Sequence, residues 1–345
     1  MRFGIIGGGS WATALAKILT DRRHEINWWM RSETAIRHLE ERRHNPHYLS
    51  SVYFDSSLLR LSTDIGTVFG ESDVVVIAVP SAYAEETLQP LTAGHWEKRK
   101  VVSAIKGLLP GENILLNGHL QQRFRVALQD YFAVLGPCHA EEVASEKLSY
   151  LTFSGIDVVT ASMIAAEFNN EYISTIVNHD ILGVQYAAVM KNIYALGAGI
   201  AHGLDYGDNF LSVYIANAAD EMAGFLKKFG AEHITVGDHS GEDPITHRKS
   251  PNYAASVYLG DLLVTCYSLH SRNRMLGNMI GKGYSVRAAQ LEMNMVAEGV
   301  NASRSMYSIN QQLQASIPIA EAVYRIVWEN LKPAEGFRRI EQVLV

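Results

Sequence analysis

Residues 2–19 read RFGIIGGGSWATALAKIL, and this stretch decides the fold. Arg2–Ile6 has the apolar run of a buried strand. Gly7-Gly8-Gly9-Ser10-Trp11-Ala12 follows at once, and Thr13–Leu19 continues with helical character. Strand, glycine turn and helix in this order match G-x-G-x-x-G/A in the context that motif requires. Gly7 permits the tight turn, Gly9 lets backbone approach a pyrophosphate, and small Ala12 lets the helix pack close to the strand. The N-terminus of the helix that follows offers N–H donors and a positive dipole end to phosphates. The stretch predicts a dinucleotide site on Gly7, Gly9, Ser10 and Trp11.

Outward from this turn, apolar runs at Ile26–Met30, Val74–Val79, Val101–Ala104, Tyr131–Leu135, Tyr150–Phe153 and Tyr172–Val177 read as strands. Helix-like segments between the first of them predict βαβ units and a parallel sheet. The texture changes near His179. Beyond it, helical patterns run over Ile181–Gly203, Asn209–Phe229, Ala255–Arg274, Val286–Met293 and Ile317–Trp328. The predicted architecture is α/β: a Rossmann-type doubly wound sheet over 1–179, then an all-α domain over 180–345. The polar stretch HITVGDHSGEDPITHRKSPN, 233–252, has turn composition and reads as a loop or insert.

The end of the second strand selects the cofactor. Enzymes that use NAD usually place an acid there for the ribose 2′-hydroxyl. Here the chain reads Trp28-Trp29-Met30-Arg31-Ser32. Arg31 suits a 2′-phosphate, which favours NADP(H), while Glu33 two residues on keeps NAD(H) open.

Charged residues in apolar or strand-end settings are the candidates for the chemistry. Lys191 is the sole formally charged side chain between Ile181 and Leu204. An apolar helix buries such a lysine, and a buried ammonium requires a partner or a task. Desolvation lowers its proton affinity toward neutrality, which suits a general acid/base; a structural ion pair is the plainer alternative. Asp261, in the apolar stretch LGDLLV at 259–264, is the candidate partner, or a helix N-cap. Ser271-Arg272-Asn273-Arg274 combines hydroxyl, amide and guanidinium donors suited to a phosphate, although a basic last helical turn has the same composition. Lys106 follows the fourth of these strands, at the carboxyl end where ligands bind in open α/β sheets. Gly136-Pro137-Cys138-His139-Ala140 follows another strand in the same way.

Composition excludes several classes. The 345 residues carry a net charge of −6 and 48% apolar residues, which disfavours nucleic-acid binding and bulk disorder. Two cysteines form no disulfide framework, which fits a reducing compartment. Residues 1–30 show no leader pattern, and Ile181–Leu204 carries too many polar groups for a membrane span. A cytoplasmic protein and a homodimer are expected. His233, His239 and His247 with Asp238 and Asp243 match no ligand spacing, so no metal is expected.

Together these residues resemble the soluble NAD(P)-dependent glycerol-3-phosphate dehydrogenase family of the bacterial type. The resemblance rests on GGGSWATALA at 7–16, NPHYL at 45–49, AVPS at 78–81, SAIKG at 103–107, GPCHAEE at 136–142, KNIYALGAGIAHGL at 191–204, GDN at 207–209, GDL at 260–262 and TCYSLHSRNR at 265–274. It implies hydride transfer between NAD(P)H and C2 of dihydroxyacetone phosphate, giving sn-glycerol 3-phosphate for glycerophospholipid synthesis. Carried over, it makes Lys191 the proton donor and acceptor. Lys106, Gly136, Cys138, Asp261, Ser271, Arg272 and Asn273 become substrate contacts. Tyr48, Lys106, Ala140, Arg272, Val296 and Glu298 join the cofactor contacts. Cys138 departs from the family's usual Ser or Thr, and Asn217 stands where many members carry Arg. Two other readings compete: a dehydrogenase of the same architecture acting on a β-hydroxy acid or sugar nucleotide, and a dinucleotide sensor without catalysis. Pairing Lys191 with the Ser271-Arg272-Asn273 phosphate site weighs against the first, and a sensor would not need Lys191 buried.

Overall fold

The computed structural model describes residues 1–230, 254–293 and 296–345. The insert 233–252, with its histidines, lies outside them. The chain divides into two compact units, Met1–Ile105 with Ile114–Ile181, and Lys106–Asn113 with Leu182–Val345.

The first unit is built on one sheet: β1 Phe3–Ile6, β2 Ile26–Trp29, β3 Leu59–Ser62, β4 Val74–Ile77, β5 Lys100–Ser103, β6 Tyr131–Leu135, β7 Ser149–Ser154 and β8 Ile173–Asn178. Their order is β3-β2-β1-β4-β5-β6-β7-β8. Pairing is parallel through β6; β7 runs antiparallel to β6, and β8 parallel to β7. β1 therefore lies where the strand order reverses, the position at which doubly wound sheets bind ligands. FGII and VVVI of β1 and β4 are buried throughout, the continuous apolar runs expected of strands covered on both faces. Phe3, Ile5, Trp28, Phe153 and Phe168 share this core with Leu15 and Leu19. Each contributes on the order of 1.5–3 kcal/mol by burial. β3 has no counterpart among the strands expected from sequence. LRLS is a four-residue edge strand with Arg60 exposed, and it carries little apolar signal.

In the second unit, Ile181–Gly203 forms one helix over the bounds expected, and Asp208–Phe229 forms the next. The helix expected over Ala255–Arg274 is instead broken. A wide π-helical turn, Ala254–Gly260, leads into a helix over Asp261–Tyr267, and a second helix runs over Arg272–Gly281. The break has a local cause: the Ser268 hydroxyl accepts from His270 N at 3.1 Å, and extended Ser271 caps the second helix by accepting from Arg274 N at 3.3 Å. Ser271–Arg274 thus open a helix rather than close one, which reverses the sign of the dipole they present.

Glycines bring this helix onto the Lys191 helix. A Cβ at Gly199 or Gly203 would overlap the Arg274 or Asn278 carbonyl, and one at Gly277 or Gly281 would overlap Leu196 or Ile200. Close packing accounts for these residues without any phosphate role. Asn217 bonds the Val213 carbonyl at 2.9 Å and both backbone groups of Val345 at 3.1 Å.

Candidate functional site

In the first unit, Gly7 ends β1 at φ +132°, and a Cβ there would lie 2.6 Å from the Ala78 carbonyl at the end of β4. No L side chain suits that position. Trp28 Nε1 donates to the Gly7 carbonyl at 2.7 Å and fixes the turn from β2. Gly9 then serves as N-cap of the helix Ser10–Asp21 without a capping side chain and with no acid in the first turn. Nothing lies within 4 Å of where its Cβ would stand. An uncapped helix N-terminus beside an open glycine is a cradle that a pyrophosphate fits.

Asn45 supports this cradle, and the sequence reading did not single it out. It is fully buried. Its Nδ2 donates to the Gly8 carbonyl at 3.1 Å and to Thr13 Oγ1 at 2.9 Å, while its Oδ1 accepts from His47 N at 3.0 Å and Tyr48 N at 3.3 Å. One amide thus ties the glycine turn to the segment carrying Tyr48. The signal was present in NPHYL, but its partners in the glycine turn and helix, Gly8 and Thr13, lie more than 30 residues away in sequence. Arg31 is exposed after β2, and Ser32 next to it caps the helix Glu33–Arg42 by accepting from Ala35 N at 3.2 Å. Gly136, also at positive φ, ends β6; Cys138 and Ala140 beyond it are buried.

In the second unit, Lys191 and Asp261 form an ion pair between Nζ and Oδ1, with side chains 3% and 1% exposed. Burial lowers the lysine's proton affinity, Asp261 raises it, and nearby Lys106 lowers it again, leaving its pKa at about 8. Asp261 Oδ2 is buried with no hydrogen-bond partner among the described residues. An unpaired buried acceptor is costly unless a ligand donor meets it. Cys266, one helical turn on, is buried, and burial pushes its thiol up to about 12, so it is inert as a nucleophile.

Asn192 links the cluster. Its Nδ2 donates to the carbonyls of Lys106 at 2.9 Å and Ala188 at 3.0 Å, and its Oδ1 accepts from Asn273 Nδ2 at 2.9 Å. Asn273 Oδ1 in turn accepts from Gly299 N at 2.9 Å. This strut fixes Lys106, the first turn of the Arg272–Gly281 helix, and the segment of Val296 and Glu298 that enters the helix Gly299–Leu313. Asn192, overlooked in the sequence beside Lys191, makes three bonds with its amide in this cluster. The Asn273 amide is engaged in the same strut, while Ser271 and Arg272 stand at the N-cap and first residue of their helix.

The predicted residues therefore gather in two groups. Gly7, Gly9, Ser10, Trp11, Arg31, Tyr48, Gly136, Cys138 and Ala140 belong to the first unit. Lys106, Lys191, Asp261, Ser271, Arg272, Asn273, Val296 and Glu298 belong to the second. Among the described residues no three His, Cys, Asp or Glu side chains converge as a metal site, and no helix is long and apolar enough to cross a membrane.

Residues 2–161 match the family described as NAD-dependent glycerol-3-phosphate dehydrogenase N-terminus, and residues 180–338 match its C-terminus. A glycerol-3-phosphate dehydrogenase [NAD(P)+] of Chlorobium luteolum is 33% identical over 341 residues, covering 97% of this chain and 95% of the relative. One from Lacticaseibacillus paracasei is 31% identical over 336 residues, covering 95% and 91%. The crystal structure of glycerol-3-phosphate dehydrogenase from Coxiella burnetii superposes with a TM-score of 0.87 at 23% identity, over 99% of this chain and 98% of that one; at that identity it shows the shared fold.

Proposed function

The chain belongs to the NAD-dependent glycerol-3-phosphate dehydrogenase family, and from that premise we propose that it reversibly reduces dihydroxyacetone phosphate at C2 to sn-glycerol 3-phosphate. The observation that carries this reading is the buried Lys191–Asp261 pair, with an acceptor left over, one strut away from a serine-capped helix N-terminus.

When bound, the nicotinamide supplies the hydride; the protein's residues manage charge and protons. Lys191 Nζ gives its proton to the C2 oxygen as negative charge develops there, and takes it back in the reverse direction. Asp261 Oδ1 steadies the ammonium, and Oδ2 is the acceptor available to a substrate hydroxyl. Ser271, Arg272 and the N–H groups of their helix suit the phosphate. Asn273 acts by holding Asn192. Lys106 adds positive charge near Lys191 and lowers its proton affinity further. Gly136 and Cys138 are assigned as further substrate contacts and Ala140, Val296 and Glu298 as cofactor contacts on the strength of the family motif.

Gly7, Gly9, Ser10 and Trp11 hold the pyrophosphate, with Tyr48 placed by Asn45. Arg31, with no acid at the end of β2, favours NADP(H) over NAD(H). The reading extends to a cofactor domain over 1–179 and a catalytic domain over 180–345, a cytoplasmic homodimer, and a supply of glycerol phosphate for phospholipid synthesis. Absorbance at 340 nm tests the reaction. Oxidation of NADPH or NADH that depends on dihydroxyacetone phosphate is the expected result, with NADPH the better cofactor. No oxidation by folded protein that binds cofactor would overturn the assignment.

A further inference from the structure

Glu221 lies on the Asp208–Phe229 helix and is 7% exposed. Three donors converge on its carboxylate: Ile319 N on Oε2 at 2.8 Å, Ala320 N on Oε1 at 2.9 Å, and the Tyr194 hydroxyl on Oε1 at 3.1 Å. Ile319 and Ala320 open the helix Pro318–Trp328, whose own N-cap, Ile317, offers no side-chain acceptor. One carboxylate from another helix therefore caps this helix and also grips the Lys191 helix. Burial pushes the Glu221 carboxyl up to about 7. A Ser or Asn at position 317 would cap the helix without burying a charge, so capping alone does not account for the choice of residue.

Tyr194 supplies the further role. It follows Lys191 by three residues, so the two share a helix face one turn apart. It is fully buried, and its carbonyl accepts from the Tyr214 hydroxyl at 3.0 Å, a second bond from the Glu221 helix. Beyond this turn, Gly197, Gly199 and Gly203 offer no side chains to anchor the helix, and a Cβ at Gly197 would overlap the Tyr214 hydroxyl. The turn that carries Lys191 is thus held by bonds from neighbouring helices. We infer that Glu221 is a positioning residue for Lys191, fixing the turn that carries the lysine through the Tyr194 hydroxyl. The inference rests on the assignment of Lys191 as proton donor.

The clamp controls the approach of Nζ to Asp261. Asp261 is what raises the lysine's proton affinity against burial and Lys106, so a loosened turn lowers that affinity. Tyr194→Phe removes only the hydroxyl and leaves both backbone donors on Glu221; Glu221→Gln disturbs the cap as well. The measurements are kcat, KM and the pH profile of dihydroxyacetone phosphate reduction, with thermal unfolding alongside. The expected result for both variants is a kcat about tenfold lower, an unchanged substrate KM, and a high-pH limb displaced to lower pH. The double variant should be no slower than Glu221→Gln alone. A Tyr194→Phe enzyme with parental kcat and limb would overturn the inference and leave Glu221 as a cap only. Should Glu221→Gln fail to fold, Tyr194→Phe decides the matter by itself. A parent chain without this activity would instead overturn the proposed reaction.

Discussion

The titration of Lys191 offers the sharpest test of the site. Its pKa falls from 10.5 to about 8, with burial the largest cause and Asp261 opposing it. At 1.36 kcal/mol per unit, the site prefers the neutral amine by roughly 3 kcal/mol relative to water. In the proposed mechanism carbonyl reduction needs the protonated lysine, so kcat in that direction should fall about tenfold per pH unit above about 8. Oxidation of glycerol 3-phosphate needs the neutral amine, so its kcat should rise up to about 8 and then level. Between pH 8 and 10.5 the folded protein binds fewer protons here than the unfolded chain. Stability should therefore rise with pH across that window by up to roughly 3 kcal/mol, and Lys191→Met should remove the rise. Asp261→Asn deletes the group that raises the lysine's affinity, so the kinetic limb should move below its parental position. The assay is stopped-flow absorbance at 340 nm under saturating substrate, read as limb position rather than absolute rate. A limb near 10.5 would mean that the titrating group is hydrated, and a limb unmoved by Asp261→Asn would mean that it is not this lysine.

Lys191→Ala should lower kcat by at least about 100-fold with cofactor affinity held, as measured by nucleotide fluorescence titration. Gly9→Ala, at φ −80° with open space for the methyl group, should leave thermal stability unchanged and weaken NADPH binding by tenfold or more, as about 1.4 kcal/mol of lost phosphate contact implies. Gly7→Ala, at φ +132° and 2.6 Å from the Ala78 carbonyl, should cost about 2 kcal/mol of stability or more in denaturant titration; equal unfolding curves for the two variants would refute the distinction. Arg31→Ala should raise the KM for NADPH by roughly 10-fold to 100-fold, the worth of one charge-assisted bond, and leave that for NADH unchanged.

What was legible in the sequence was set by local physics. The strand–glycine–helix at 2–19 and the helix over Ile181–Gly203 declare themselves by composition within a short window, and both stand where they were read. The break at Ser268–Ser271 was missed because the apolar run from Val257 to Cys266 has helical period and no proline follows it. Only the serine side chains, bonding to His270 N and Arg274 N, make the stop. Asn45 and Asn192 escaped notice because a polar residue's importance depends on partners that the fold brings from afar: Gly8 lies 37 positions from Asn45, and Asn273 lies 81 from Asn192.

The same distant bonds hold the groups around Lys191 in one arrangement. Asn192 uses both amide protons and its carbonyl within the strut, and the Asn273 carbonyl is taken by Gly299 N. A satisfied amide chain in a dry interior has one geometry and resists change, since breaking any member strands a buried polar group. Within the cluster of Lys191, Asn192, Asp261 and Asn273, the acceptor left over is Asp261 Oδ2. A site that satisfies its scaffold and leaves an oxygen beside its lysine unpaired keeps that penalty until a hydroxyl arrives. Binding a substrate with that hydroxyl removes the penalty, while a ligand lacking it leaves the penalty in place. In the proposed mechanism the carboxylate that raises the lysine's proton affinity is therefore also the group that selects a hydroxyl-bearing carbonyl compound.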